Sequence, residues 1–382
     1  MSARPPLPDD IKQLIKLVRA GKFIDVQKWI AEGKQTIPPK PYSSSPLRVA
    51  VETGFHSMIE ILLRIETDQD EKNYLLRRAV WNNKLELIKL LVEHGADPLG
   101  VGFEDVCRTG NPELMRFFLD RGIDAVTGQP FARALCRPRR PQLGIYIHYR
   151  DKIPELKHQV NLALRHHARE GNLHWVCLLL WAGGDAHVKL PDIGKDSDPE
   201  NDTSALEEAI YHKRDTVVDK IGIDPKRDDL NGLLGKACSA GDWNIIEKLI
   251  ALGADVNPET EYGPMEMLIW NFQCNIRPPF GSLSSFDIED SLKNITRLAA
   301  KGGRWQPKDN LGVKGLRREL HRLDARCISK VIREFHKHNV CSKEILLELI
   351  SNAKMKQLLG ERLPRLKRMV SGNLMWRSVA PH

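Results

Sequence analysis

The sequence predicts an all-α solenoid, a run of stacked helix–turn–helix repeats, and three observations carry that reading. A phrase returns at a spacing of about 30 residues: Ser45-Pro46-Leu47-Arg48-Val49-Ala50 with Ile59 to Leu63, then Ala79 with Leu87 to Leu91, then Ala237 with Ile245 to Ile250. Self-similarity at such a period marks repeats that each pack on their neighbours. Second, one position before each second helix acts as a ruler: Gly21, Gly54, Asn83, Gly110, Gly171, Lys213 and Gly241, with gaps of 33, 29, 27, 61, 42 and 28 residues. Third, four second helices close on a matching phrase: Gly95-Ala96-Asp97, Gly122-Ile123-Asp124, Gly184-Asp185-Ala186 (displaced by one) and Gly253-Ala254-Asp255. Glycine there suits a left-handed C-cap, and the aspartate hydrogen-bonds its own turn.

These residues together resemble the ankyrin repeat, whose core reads Thr-Pro-Leu-His, Ala-Ala, Gly, Val-x-x-Leu-Leu and Gly-Ala-Asp. Ser45-Pro46-Leu47-Arg48 matches the opening with Ser for Thr and Arg for His, and Leu62-Leu63, Leu90-Leu91 and Leu179-Leu180 match the second-helix pair. The resemblance spans residues 10–350; it is strong at 45–125, 160–186 and 231–257 and weak beyond 260. It implies nine to eleven stacked ankyrin-like repeats with a divergent helical C-terminal region. It also implies protein recognition along the concave side, formed by hairpin tips and the ends of first helices.

Taken in order, residues 1–9 are proline-rich and lack the apolar stretch of a secretory leader, and the solenoid occupies 10–304. The 61-residue gap holds a divergent repeat at 125–155, with Pro130 to Leu135 in its first helix and Leu143 to Tyr149 in its second. There Arg137-Pro138-Arg139-Arg140-Pro141 sets arginines between prolines, an extended presentation suited to clamping carboxylates or a phosphate, with Tyr146 and Tyr149 to stack beside them. The 42-residue gap carries an acidic insertion at 191–202. Its alternating carboxylates, followed by Ser204 and Glu207, approach the spacing of a calcium loop, but Asn201 stands where the sharp turn wants glycine, so a solvated acidic loop is expected. A further insertion is expected at 271–287, and 305–382 is expected to form basic helical cap repeats.

Composition is that of an ordinary globular chain, 41% hydrophobic and 28% charged. No apolar run approaches the ~20 residues needed to cross a bilayer. The seven cysteines are scattered, which predicts reduced thiols in the cytoplasm rather than a disulfide framework. The net charge of +8 is concentrated: residues 308–382 hold 17 Lys or Arg against 7 Asp or Glu. Arg317, Arg318, Arg322, Arg326, Lys330, Arg333 and Lys337 recur near helical spacing, with a break expected around Leu323-Asp324-Ala325. Arg139 and Arg140 join Arg317, Arg318, Arg322 and Arg326 as a secondary basic surface, through which nucleic acid is a possible partner beside the protein partner the resemblance implies.

The ankyrin resemblance places the two positions before each ruler residue on the concave side, and burial would not select them. They make Trp81, Asn82, Arg108, Arg169, Glu170, Tyr211 and His212 the candidate partner-binding residues, since Trp, Tyr and Arg dominate interface hot spots. Trp175 and Trp243 fall on the apolar rhythm of second helices and read as core. His166, His167, His174 and Cys177, and likewise Cys327, His336, His338 and Cys341, lack the paired spacing of a zinc site; His167 and Cys177 read as packing. No nucleophile elbow, phosphate loop or metalloprotease motif occurs, so no enzyme activity, cofactor or metal is expected. The expected function is a non-enzymatic scaffold or adaptor. An adaptor for nucleic acid and an enzyme site hidden in 260–382 are the alternatives.

Overall fold

The computed structural model describes residues 7–39, 44–137, 140–191, 202–260, 262–276, 285–307 and 310–372, without the side chains of 140, 285–288 and 310. These residues form 23 α-helices and no β-strand, so the fold is all-α and repetitive. They fall into two compact units, residues 1–163 and 164–382.

The first unit holds α1 (Asp9–Arg19), α2 (Phe23–Ala31), α3 (Pro46–Thr53), α4 (His56–Ile65), α5 (Gln69–Trp81), α6 (Leu85–Glu93), α7 (Phe103–Thr109), α8 (Pro112–Leu119), α9 (Pro130–Leu135) and α10 (Arg140–Tyr149). The boundary between units lies inside α11 (Leu156–Glu170). The second unit continues with α12 (Leu173–Trp181), α13 (Ala205–Tyr211), α14 (Asp215–Ile221), α15 (Leu230–Ala240), α16 (Trp243–Ala251), α17 (Pro264–Ile276), α18 (Ser285–Ala300), α19 (Asn310–Leu320), α20 (Ala325–Lys337), α21 (Lys343–Ile350), α22 (Ala353–Leu359) and α23 (Arg362–Ser371). First helices pack side by side, α5 on α7 on α9 in one unit and α13 on α15 on α17 on α19 in the other. Second helices form the other layer, as in α8 on α10 and α12 on α14. Their apolar stripes, such as Leu87, Ile88 and Leu91 on α6 and Ile245, Ile246 and Leu249 on α16, fill the core between layers.

Every ruler residue adopts a left-handed backbone, with φ between 53° and 78°, including the non-glycines Asn83 and Lys213. This single residue reverses the chain between paired helices, and the residue after it reaches back to the preceding repeat. Asn111 Nδ2 donates to Asn83 Oδ1 at 2.8 Å, and Arg214 Nε donates to Arg169 O at 2.9 Å. Glycine serves a second purpose where that neighbour crowds in: a Cβ on Gly171 would stand 2.9 Å from the Arg214 Cδ. In α17 the helix runs through this register. Asn271 still donates to Ser239 O at 2.8 Å, and Trp270 takes the ruler position inside continuous helix.

The closing turns follow the sequence reading with one correction. Asp97, Asp124, Asp185 and Asp255 each accept from the backbone N–H two residues on, at 2.8–3.0 Å. In the third turn the left-handed residue is Gly183, so the phrase is Gly183-Gly184-Asp185 and there is no displacement. Asn73 and Asn231, both ten residues before their ruler, each accept from the backbone N–H of the closing aspartate of the same repeat at 2.8 Å.

Ser45 caps α3 by accepting from Arg48 N, and donates its hydroxyl to the buried Glu71 of the next repeat at 2.7 Å. Arg48 grips the same carboxylate, so arginine in place of histidine ties two repeats together. Ser204 and Glu207 form a capping box on α13, which is a helix start rather than the end of a calcium loop. Residues 192–201 of the acidic insertion lie outside the described residues. Its ends meet where Leu190 pairs with Thr203, and buried Arg165 donates to both carbonyls. Residues 271–276, expected to open an insertion, instead continue α17.

Lys213 pays a left-handed strain that glycine avoids, and Gly253 (φ 103°) has open space where a Cβ would sit. Lys213→Gly is expected to raise the melting temperature, and Gly253→Ala to lower stability by about 1–2 kcal/mol. Thermal melts followed by circular dichroism check both signs.

Candidate functional site

In each unit the first-helix ends leave a row of side chains that no neighbouring helix of that unit covers. Arg19, Glu52, Trp81 and Arg108 in the first unit, and Arg169 and Tyr211 in the second, all stand two residues before a ruler position and all are exposed. Trp81 is 65% exposed and Tyr211 46%, so neither ring packs into the core.

In the first unit this row has a defined chemistry. Trp81 ends α5, Arg77 lies one turn earlier and is exposed, and Asn82 closes the helix by donating to Arg78 O at 2.8 Å. Arg108 holds the matching place on α7 and pairs with Asp105 at 2.9 Å and Glu104 at 3.4 Å. Beside it, Arg108, Arg133 and Arg137 line a cleft of about 30 Å³ together with Glu104 and buried Gln142. Gln142 Nε2 donates to Cys107 O at 2.8 Å, while its Oε1 receives no donor among the described residues.

The arginine segment of the divergent repeat takes a different form from the expected one. Arg137 remains outside the helix, Arg139 lies outside the described residues, and Arg140 begins α10. Tyr146 and Tyr149 do not stack beside these arginines. Both are buried, Tyr146 edge-on to Phe131 and Tyr149 donating its hydroxyl to Asp120 Oδ1 at 2.6 Å. Burial, and then the Asp120 carboxylate, push the Tyr149 phenol up to about 12. They are core because α10 is an intact helix whose inner face they occupy.

In the second unit Arg169 and Glu170 end α11 and are exposed, and the Arg169 carbonyl anchors Arg214. Tyr211 ends α13 with its ring edge-on to His212, whose Nε2 lies 3.5 Å from Glu208. Trp175 is core and stacks on buried His167. Trp243 is only half-buried, with the Arg297 guanidinium 5.3 Å over its ring. It is the first residue of α16.

The basic C-terminal residues divide between two helices, with the break at 321–324. On α19 Arg317 donates to Glu348 O, and Arg318, together with Arg322 in the break, pairs with fully buried Glu319, at 3.1 and 2.9 Å. On α20 Arg326, Lys330, Arg333 and Lys337 form an exposed stripe opposite buried Ile328, Val331, Ile332 and Phe335, with Lys330 paired to Glu289. Among the described residues no three of His, Cys, Asp and Glu converge to hold a metal ion, and no helix is long and apolar enough to cross a membrane. A cavity of about 550 Å³ lies between the loops around Asn257 and Arg304. Of its polar groups, Glu266 accepts from the Trp305 indole, and Asn257 bridges Gly302 O and Arg304 N.

The sequence reading missed Trp181, which ends a second helix and is 72% exposed, and Trp270, 48% exposed. The end-of-helix position of Trp181 was the available signal, since it falls just before the Gly183 turn. Trp270 gave none, because its ruler glycine is absent.

No family model matches the chain, and no curated protein matches it. Among solved structures it is similar to one described as "Crystal structure of human ASB11 ankyrin repeat domain", at 14% identity and a TM-score of 0.24, covering 74% of this chain and 96% of that one. The repeat assignment therefore rests on the helix pairs and their left-handed turns.

Away from the row, Asp242 caps α16 and meets Asp215 at the start of α14. Burial first, and then the neighbouring Asp215 carboxyl, raise Asp242 above the usual carboxylate range. The folded pair thus retains a proton that the unfolded chain releases. Its contribution to stability is full below the ordinary carboxylate range and lost as pH rises through the raised value. Asp215→Asn is therefore expected to melt above wild type at pH 7, with the gap closing in acid; melting curves across pH 3–7 test it.

Proposed function

We propose that this chain is a protein-binding scaffold of ankyrin-like repeats whose working surface is the row of first-helix ends. The observation that carries this reading is the exposure of Trp81 and Tyr211 at equivalent positions of two repeats, where packing asks for no large ring. Each unit carries its own set of these ends: Trp81, Asn82 and Arg108 in the first, and Arg169, Glu170, Tyr211 and His212 in the second. Capture of a partner from source lysate is expected with wild type at high salt, and is expected to be lost or reduced at least tenfold in Trp81→Ala/Tyr211→Ala. Capture indifferent to that double substitution contradicts the proposal.

A second reading is favoured by the α20 stripe, whose four exposed cations suit an anionic polymer. An oligonucleotide that binds with a steep salt dependence, and loses affinity in Arg326→Glu/Arg333→Glu, supports it. Binding that is absent at low salt removes it.

A further inference from the structure

The row in the first unit is not chemically neutral, and its charge selects a partner. Three first helices in succession present Trp81 on α5, Arg108 on α7, and Arg133 with Arg137 at α9. Arg77 adds a further exposed guanidinium one turn from Trp81. Arg77 and Arg137 have no ion-pair partner among the described residues, and Arg133 approaches Glu104 only at 4.0 Å while its Nε donates to Gly128 O. Arginine here matters more than charge alone, because its planar fork binds a carboxylate through two parallel hydrogen bonds. Gln142, whose buried Oε1 has no donor among the described residues, is one of the residues lining the cleft these arginines surround. A buried acceptor without a donor is costly, and the cleft has room for one small polar group.

We infer that this surface binds an acidic, extended peptide segment, with an apolar side chain against Trp81 and carboxylates at the Arg133–Arg137 cleft. The inference rests on the proposed use of the first-helix row and adds the chemistry of the partner. Neighbouring helices lie about 10 Å apart, so the step from α5 to α9 is about 20 Å. An extended chain rises about 3.3 Å per residue, which places the carboxylates about six residues from the apolar anchor. The Arg77 guanidinium takes a second acid near the anchor. Nucleic acid fits this surface less well: Glu104 and Asp105 on α7 lie between the α5 and α9 arginines and would repel a phosphate at that step, whereas a peptide needs carboxylates only at the two ends of the span.

The test uses the full-length chain against a random-peptide library, with inserts about twelve residues long spanning about 40 Å. Peptides recovered on wild type are expected to be net acidic, with Asp or Glu about six positions from an apolar residue. A labelled synthetic peptide of the recovered sequence is then expected to bind about tenfold more weakly to Arg133→Ala/Arg137→Ala, and also more weakly to Trp81→Ala. Both variants alter exposed side chains, and circular dichroism confirms that they fold. Recovered peptides with no acidic bias that still depend on Trp81 overturn the charge assignment and leave the row intact. Acidic peptides insensitive to both variants, or a single-stranded oligonucleotide that binds through Arg133 and Arg137 when acidic peptides do not, overturn it as well. Failure to recover any peptide, with lysate capture also indifferent to Trp81, overturns the row itself.

Discussion

One constraint organises most of this chain: a single left-handed residue between the paired helices, at Gly21, Gly54, Asn83, Gly110, Gly171, Lys213 and Gly241. It sets the reversal, and it fixes where the next repeat docks, because the residue after it leans on the turn before. Asn111 on Asn83 and Arg214 on Gly171 and Arg169 are the same contact made with different chemistry. Glycine is the cheapest solution to a positive φ, and asparagine is tolerated because its short polar chain bonds locally. Where the turn is dispensed with, as at Trp270, the helix continues and the docking asparagine alone preserves the register.

That same geometry produces the proposed working surface. Fixing the turn fixes the end of each first helix, and the side chain two residues earlier has nowhere to pack. Its identity is then released from the demands of the core. Basic and aromatic side chains dominate the row in the first unit, while Ser45, Arg48 and Glu71 show what polar residues do when burial demands satisfaction. Arg165 makes the contrast within one residue type. It is buried, and spends its hydrogen bonds holding the base of the acidic insertion. The arginines around Trp81 face solvent.

Much of the fold was legible in the sequence because it is written locally. The ruler residues, the closing aspartates and the break near Leu323 are decided by backbone preference within a few residues, and Pro130 to Leu135 forms a helix as its proline start suggests. Orientation was less legible. Tyr146 and Tyr149 read as partners for nearby arginines because they are close in sequence, yet helical phase turned them inward. Trp243 read as core because its periodicity is apolar, but the first residue of a helix is half-uncovered. The cleft of Arg108, Arg133, Arg137 and Gln142 was invisible because it is assembled from three helices, and no local pattern marks it.

The central claim, that first-helix ends rather than second-helix ends meet the partner, is tested most directly by site-specific photocrosslinking. Trp81 and Trp181 are comparably exposed, at 65% and 72%, and end a first and a second helix respectively. A photoreactive aromatic residue is placed at each position in turn, and adducts are collected from source lysate. A partner adduct from position 81 and none from position 181 is the result this account predicts. The same partner joined through position 181 and not through 81 contradicts it.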